Sequence, residues 1–370
     1  MLCDALVVGA GVVGLATACA LARAGRQVVV IEAETAPLQH ASSRNSEVVH
    51  AGLYYEPGSL KARACLQGRA ALLALCERTG VRVHHCGKFV LAASADELPA
   101  LSQLAARAAA NGVELHERDG AAIAALEPEV RCVAGLWSPR SAIVDSHGLG
   151  RALLRALQDA GGSVVYGCRF ERAEPGAAGL RVWAGGDEVV ARTLVLAGGV
   201  ATPRLLASIA GARCRFTLPH RLARGHYFAL AGGPRFRHLL YPLPEPGGLG
   251  IHVTLDLEGN VRLGPDVEWI DACDRGGALA LDYRVDESRA DAFVRSVVRW
   301  VPSLRAEHLR PAYAGIRAKL VGPGEPAHDF VIADHREHGI DGVVALLGIE
   351  SPGLTACLAL GAAAADAAGA

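Results

Sequence analysis

The first residues whose spacing implies chemistry are Gly9-Ala-Gly11-Val-Val13-Gly14. They follow a short apolar run and open a helical pattern. In such a loop Gly9 permits a tight turn, Gly11 lets the backbone approach a pyrophosphate, and Gly14 lets helix and strand pack closely. The helix N-terminus then turns its partial positive charge on the phosphates. Glu32 follows Gly9 by 23 positions, at the end of a second apolar run, where a carboxylate can accept hydrogen bonds from ribose hydroxyls. A 2′-phosphate would meet a like charge there, which disfavours NADP. No second GxGxxG is present for a nicotinamide cofactor. Two later glycine sites suit FAD better: Ala197-Gly198-Gly199 after a buried strand, and Gly348-Ile-Glu-Ser351-Pro352-Gly353-Leu354-Thr355 before the last helix. The second could aim backbone N–H groups at the flavin edge where negative charge grows on reduction. Either could also be an ordinary strand-to-helix turn.

Positioning these residues requires a βαβ unit: strand 3–8, helix 12–24, strand 27–32. Further helical patterns run at 60–79, 97–111, 147–160, 287–299 and 354–368. Strand-like runs lie at 88–93, 163–170, 180–184, 189–197, 224–230, 249–254, 260–263 and 342–347, with turn-rich breaks at 232–234 and 242–248. Middle strands do not alternate simply with helices. The expected fold class is therefore α/β (α+β overall), a Rossmann-like dinucleotide-binding domain with an inserted, mainly antiparallel substrate domain. The expected division is 1–85, 145–215 and 325–370 for the cofactor, and 86–144 with 216–324 for the substrate.

Composition supports an enzyme-sized core: 51% of the 370 residues are hydrophobic and 20% charged, with net charge -1. That balance offers nothing to a polyanion, so nucleic acid is excluded as a partner. The ten cysteines form no CxxC or zinc pattern and read as free thiols in a reducing compartment, hence a cytoplasmic location. No run is long and clean enough for an integral membrane segment.

The stretch Ser42-Ser43-Arg44-Asn45-Ser46-Glu-Val-Val-His50-Ala-Gly-Leu-Tyr-Tyr55-Glu-Pro-Gly-Ser-Leu-Lys61-Ala-Arg63 resembles the L-2-hydroxyglutarate dehydrogenases/oxidases, a branch of the D-amino-acid-oxidase-like (glycine oxidase-like) flavoproteins. Ile143-Val-Asp145, Tyr241-Pro-Leu-Pro244, Leu249-Gly-Ile-His252-Val-Thr254, Gly264-Pro265, Gly315-Ile-Arg317-Ala-Lys319, Asp329-Phe-Val-Ile332 and Glu350-Ser-Pro-Gly-Leu-Thr355 extend the resemblance in order over nearly the whole chain. Four positions, at three places in the chain, depart from it. Glu47 stands where Gly is usual, His226 where an acid is common, and Ala356-Cys357 replaces a small, hydroxylic pair.

The resemblance implies FAD, held by the glycine loop with Val13 and Glu32, by Ser42 to Ser46, His50, Phe170, Ala197 to Gly199, and Gly348 with Ser351 to Thr355. It implies oxidation of a small L-2-hydroxy acid, 2-hydroxyglutarate being one candidate. Arg317 would clamp the carboxylate, since a guanidinium binds it bidentately; the bland alternative is a surface ion pair. His252 or His50 would take the hydroxyl proton as the C2 hydride moves to flavin. His50 could instead be a core histidine bonded to backbone, and His252 would be a surface residue if its strand face met solvent. Tyr55 and Lys61 would reach a second carboxylate, or else form a core aromatic and a solvated helix turn capped by Ser59. Electrons would pass to oxygen or a quinone, the latter through peripheral contact with the inner membrane. An amine or amino-acid oxidase and a non-catalytic flavin-binding protein are the competing readings.

Overall fold

A computed structural model describes residues 2–213, 215–216, 221–244, 250–275 and 278–370. Leu249, the first residue of the expected strand 249–254, and 245–248 of the expected 242–248 turn lie outside them. Val28–Ile31 is apolar at every position because both sheet faces are covered, as parallel strands require. Leu2–Val8 sits between it and Asp187–Leu196, parallel to both. Around these three the described residues build an eight-stranded sheet, in the order Phe170–Gly176, Gly179–Ala184, Asp187–Leu196, Leu2–Val8, Val28–Ile31 and Ser163–Val165. Val343–Leu347 lies parallel beside Asp187–Leu196, and Val331–Ala333 pairs antiparallel with it. Residues alternate between two cores: Ala5, Val7, Val28 and Val30 pack toward helices Val12–Arg23, Ser146–Asp159 and Gly353–Ala367, while Leu6, Val8, Val29 and Ile31 enter the opposite core.

The expected strand 163–170 is two strands. Ser163–Val165 runs parallel to Val28–Ile31, and the chain then turns, with Gly167 at φ 68°, before Phe170–Gly176 begins an antiparallel hairpin.

The second sheet has nine described strands, led by Glu268–Asp271, Arg221–Leu230, Val261–Leu263 and Val253–Leu255. Leu239–Pro242, Lys88–Ala92, Ala134–Ser138 and His116–Asp119 continue it, and Leu309–Arg317 pairs with Arg221–Leu230. Only Leu239–Pro242 and Lys88–Ala92 pair in parallel among its described pairs. Leu309–Arg317 was not expected, and the expected 249–254 strand is regular only from Val253 to Leu255. One face of this sheet closes over a core containing Phe228, Leu240, Val253, Leu263, Phe293 and Trp300.

Helices Val12–Arg23 and Gly353–Ala367 approach at backbone distance. A Cβ on Gly361 would lie 2.6 Å from Ala16 C and 2.8 Å from Thr17 N. Backbone cannot yield there as a side chain could. Gly361→Val is therefore expected to destabilise the holoprotein by about 1–3 kcal/mol in urea unfolding. Ala362→Val, on the exposed side of the same helix, should cost about 0.5 kcal/mol. Equal losses in the two variants would show that helix propensity, not the close crossing, sets the cost.

Candidate active site

The glycine loop folds as its spacing requires. Gly9 has φ 105°, and a Cβ there would lie 2.6 Å from the Ala197 carbonyl oxygen. A Cβ on Gly14 would overlap the Gly9 carbonyl oxygen. The Val12 N–H donates to Ser42 Oγ at 3.0 Å, and the Ala10 N–H to Glu32 Oε2 at 2.7 Å. Glu32 Oε1 also accepts from the Glu34 N–H, so the acid braces the loop that it borders. A cleft of about 680 Å³ opens here, within the roughly 300–1,000 Å³ of small-molecule sites. Gly9, Gly11, Val13, Gly14, Glu32, Ser42, Phe170, Ala197, Gly198 and Gly199 line it. Bare glycine backbone at a helix N-terminus, with an acid at the far end, fits the pyrophosphate and ribose of FAD.

Sequence reading missed the cover of this cleft. Tyr283, from the inserted segment, lines it, and Arg44 stacks over the Tyr283 ring at 4.3 Å. His40 contacts the same tyrosine, Nδ1 to Oη, at 2.7 Å.

Beyond the cleft the chain from Ser43 to His50 runs between the two sheets. Ser43 Oγ donates to the His40 carbonyl, and Asn45 Nδ2 to Ala41 and Ser42 carbonyls. The Asn45 carbonyl accepts from Tyr313 Oη at 2.6 Å. The Ser46 side chain lies beside the Tyr227 and Tyr241 hydroxyls. Val48–Val49 pairs with Ala142–Val144, which delivers His50 to the turn after Val343–Leu347. There the His50 N–H donates to Thr355 Oγ1 at 3.0 Å, and its Nε2 lies 3.2 Å from Ser351 Oγ. Gly348 takes φ 70°, and Gly353 and Leu354 begin the final helix directly after Pro352. The Tyr55 hydroxyl lies beside Ser351. His50 Nδ1 is buried without a hydrogen-bond partner. Burial first, then the charges of Lys88 and His252, hold its imidazole well below its ordinary pKa, so it is neutral at pH 7.

The pleat of the nine-stranded sheet collects the remaining polar groups. Register places Arg317 with Ala223, Tyr313 with Tyr227, Arg262 with both Ala229 and Thr254, and Tyr241 with Val90, two residues from Lys88. Side chains two apart share a face, so Arg317, Tyr227, Tyr313, Arg262, Thr254, Tyr241 and Lys88 line one side. His252 joins them, stacked on Tyr241 at 3.5 Å between ring centroids. It is 5% exposed, which rules out the surface reading. Arg317 Nη2 donates to the Asp266 carbonyl at 2.8 Å, while Nη1 is buried without a partner. A guanidinium held by one nitrogen and open at the other suits a carboxylate.

Comparison with known proteins agrees with this geometry. A family model described as FAD dependent oxidoreductase matches residues 4–367. The chain is 38% identical to the mitochondrial L-2-hydroxyglutarate dehydrogenase of Arabidopsis thaliana, covering 96% of this chain and 81% of that protein. It is 30% identical to the L-2-hydroxyglutarate dehydrogenase of Escherichia coli (strain K12), over 89% and 85% of the two chains. The chain belongs to the L-2-hydroxyglutarate dehydrogenase family of FAD-dependent oxidoreductases. Its fold is that of L-alpha-glycerophosphate oxidase from Mycoplasma pneumoniae, solved with FAD bound (TM-score 0.86, 22% identity, covering 100% of this chain and 95% of that one). Glycine oxidase from Geobacillus kaustophilus shares it too (TM-score 0.81, 20% identity, 100% and 95% covered).

Within this dehydrogenase family member, Lys61 does not match its expected place. Its ammonium lies 3.2 Å from Glu350 Oε1, and Lys319 binds the same carboxylate at 3.0 Å. Burial pushes the Glu350 carboxyl up, and the two ammonium groups outweigh that and hold it below its ordinary pKa. Lys61 is thus committed to an internal carboxylate, and Glu350 is the partner that sequence spacing could not supply.

The departures from the family pattern also find places. His226 is fully buried, with Nδ1 3.0 Å from Asp266 and Nε2 3.3 Å from Glu268, on the sheet face opposite Arg317. Ala356 is small because Gly68 of helix Leu60–Thr79 approaches it: a Cβ on Gly68 would lie 2.6 Å from Ala356 Cα. Glu47 has φ 57°, a left-handed conformation that favours glycine. Its carboxylate accepts from Ser146 Oγ at 2.7 Å and faces Arg262 at 3.5 Å.

Those bonds offset the strain at Glu47. Glu47→Ala keeps the strain and loses the bonds, so it should be destabilised by about 1–3 kcal/mol. Glu47→Gly should be about 1 kcal/mol more stable than the Ala variant in chemical denaturation. An Ala variant as stable as the Gly variant would mean that the left-handed backbone costs nothing at this position.

Proposed function

We propose that the protein oxidises L-2-hydroxyglutarate, or a closely similar L-2-hydroxy dicarboxylate, to the 2-oxo acid. The names of its relatives suggest the substrate. The observation that carries the reading is a pair of buried polar atoms without a hydrogen-bond partner, His50 Nδ1 and Arg317 Nη1. Buried polar atoms are nearly always paired, and a hydroxy acid brings partners of the right kind for both. Arg317 takes the carboxylate next to the reacting carbon. His50, neutral and beside the Ser351–Thr355 turn, takes the hydroxyl proton. His252, stacked on Tyr241, flanks it. Tyr55 works through Ser351, which it adjoins and which lies 3.2 Å from His50 Nε2. FAD, when bound, supplies the two-electron oxidant.

In this reading 1–85, 145–215 and 325–370 form the cofactor domain, and 86–144 with 216–324 the substrate domain. Oxygen or a quinone reoxidises the flavin. No helix among the described residues is long and apolar enough to cross a membrane. We place the protein in the cytoplasm, in peripheral contact with the inner membrane where a quinone is the acceptor.

Anaerobic mixing tests the substrate. L-2-hydroxyglutarate should bleach the bound flavin, and glycine and L-proline should not. Bleaching by amino acids alone would favour an amine-oxidising enzyme, and no bleaching by either class would leave a flavin-binding protein without this catalysis. His50→Gln should slow flavin reduction about 10²–10⁴-fold, the usual worth of a positioned base, with FAD content unchanged. A wild-type rate in that variant would move the base elsewhere, His252 being next.

A further inference from the structure

Lys88 is 0% exposed. Its Nζ has no hydrogen-bond partner among the described residues, and none of their carboxylates pairs with it. The other two lysines of the chain share Glu350, so among the described residues Lys88 is the lysine without a carboxylate. Its ammonium faces aromatic rings instead, 4.8 Å from the Tyr54 centroid and 4.4 Å from that of Tyr241. Tyr54 Oη is a second buried atom without a partner. Every acidic group facing Lys88 is neutral at pH 7: Cys65 and Cys86 are pushed up by burial to about 12 and about 11, and burial also holds the Tyr54 and Tyr241 hydroxyls well above the ordinary range. His50 and His252 complete the surroundings and carry no negative charge in any state. Among the described residues, Lys88 is therefore a buried cationic group with no anion beside it.

We infer that Lys88 is the specificity-determining residue for a dicarboxylate: its ammonium receives the substrate carboxylate remote from the reacting carbon. The inference rests on the function proposed above and names what distinguishes a dicarboxylate from a simple 2-hydroxy acid in that site. Lys88 shares its sheet face with Tyr241, His252 and Arg317: it lies against the Tyr241 ring on which His252 stacks, and Arg317 stands farther along the same face. A carboxylate supplies both the charge and the hydrogen-bond acceptors that the buried ammonium lacks. Burial lowers the Lys88 pKa to about 7, so the empty site sheds its proton near neutrality. An arriving carboxylate restores it, and dicarboxylate binding takes up a proton above that pH.

The test compares L-2-hydroxyglutarate with L-2-hydroxyvalerate, which ends in a methyl group, in anaerobic flavin reduction by the holoenzyme. In Lys88→Met, kcat/KM should fall about a hundredfold or more for the dicarboxylate and stay within about threefold for the monocarboxylate. Lys88→Arg should recover part of the loss. Equal losses on both substrates would make Lys88 the proton acceptor instead, and no loss on either would make it a packing residue; each overturns the inference.

A wild-type measurement stands should the Met variant not fold. Glutarate, titrated by its perturbation of the flavin spectrum, should weaken about tenfold per pH unit above about 7, while pentanoate stays flat. A flat glutarate profile from about pH 6.5 to 9 would overturn the inference. In a folded Lys88→Met the glutarate slope should vanish, which separates Lys88 from His252. Wild-type flavin that no 2-hydroxy acid bleaches would sink the parent reading, whereas bleaching with an unchanged Met variant sinks this one alone.

Discussion

The strap from Ser42 to His50 is fastened at nearly every residue, and both halves of the site depend on those fastenings. Ser42 Oγ accepts an N–H at the start of the first helix. The Arg44 carbonyl packs so closely on Gly315 that no side chain fits there. The Asn45 carbonyl takes the Tyr313 hydroxyl, Glu47 takes Ser146, and the His50 N–H takes Thr355. These bonds reach two helices packed on the eight-stranded sheet, the nine-stranded sheet and the last helix within nine residues. A shift of one residue would move His50 away from Ser351 and Ser46 away from its two tyrosines. The strap is thus a gauge that sets how far the polar sheet face stands from the cofactor turn.

That geometry explains why the nine-stranded sheet is two-sided in character. One face is apolar and closes a core with Phe228, Phe293 and Trp300. The other carries three cationic side chains, three tyrosines and a histidine, several of them buried. Such groups cost stability unless something partners them. Arg262 has Asp256 and Glu47, and Tyr313 has the strap. Arg317 Nη1, His50 Nδ1, Tyr54 Oη and Lys88 Nζ are left over. These four lie on or against the polar sheet face or beside the Ser351–Thr355 turn, where a ligand could complete them, whereas other such atoms among the described residues, Glu127 Oε2 and His338 Nε2 for example, lie elsewhere.

The cofactor half was legible because its chemistry is local. Gly9, Gly11, Gly14 and Glu32 lie within one βαβ unit, and the distance between them in sequence fixes their distance in space. The substrate half is assembled from strands far apart in the chain. Leu309–Arg317 escaped notice because Pro311 and a polar alternation mask it, although Arg317 at its end stood out by motif. Lys61 was assigned a substrate role because nothing near it in sequence reveals Glu350, 289 positions away. Glu47 was visible as a departure, but only its backbone angle shows why glycine is usual there.

Lys88 was hidden by the opposite effect. It opens a strand, Lys88–Ala92, in which every residue is buried, and a lysine at the end of an apolar run reads as the point where the chain leaves the core. Only pairing shows otherwise: Leu239 and Ser138 flank it on both sides, so the strand is interior from its first residue. A hydrophobic residue would fill that position at lower cost, since a buried ammonium surrenders its hydration and here regains only ring faces. The fold therefore carries a standing electrostatic penalty at one point of its sheet. A penalty that a carboxylate would remove, at a place where a carboxylate substrate would bind, raises the affinity for the right substrate and is felt in full by one that lacks the group.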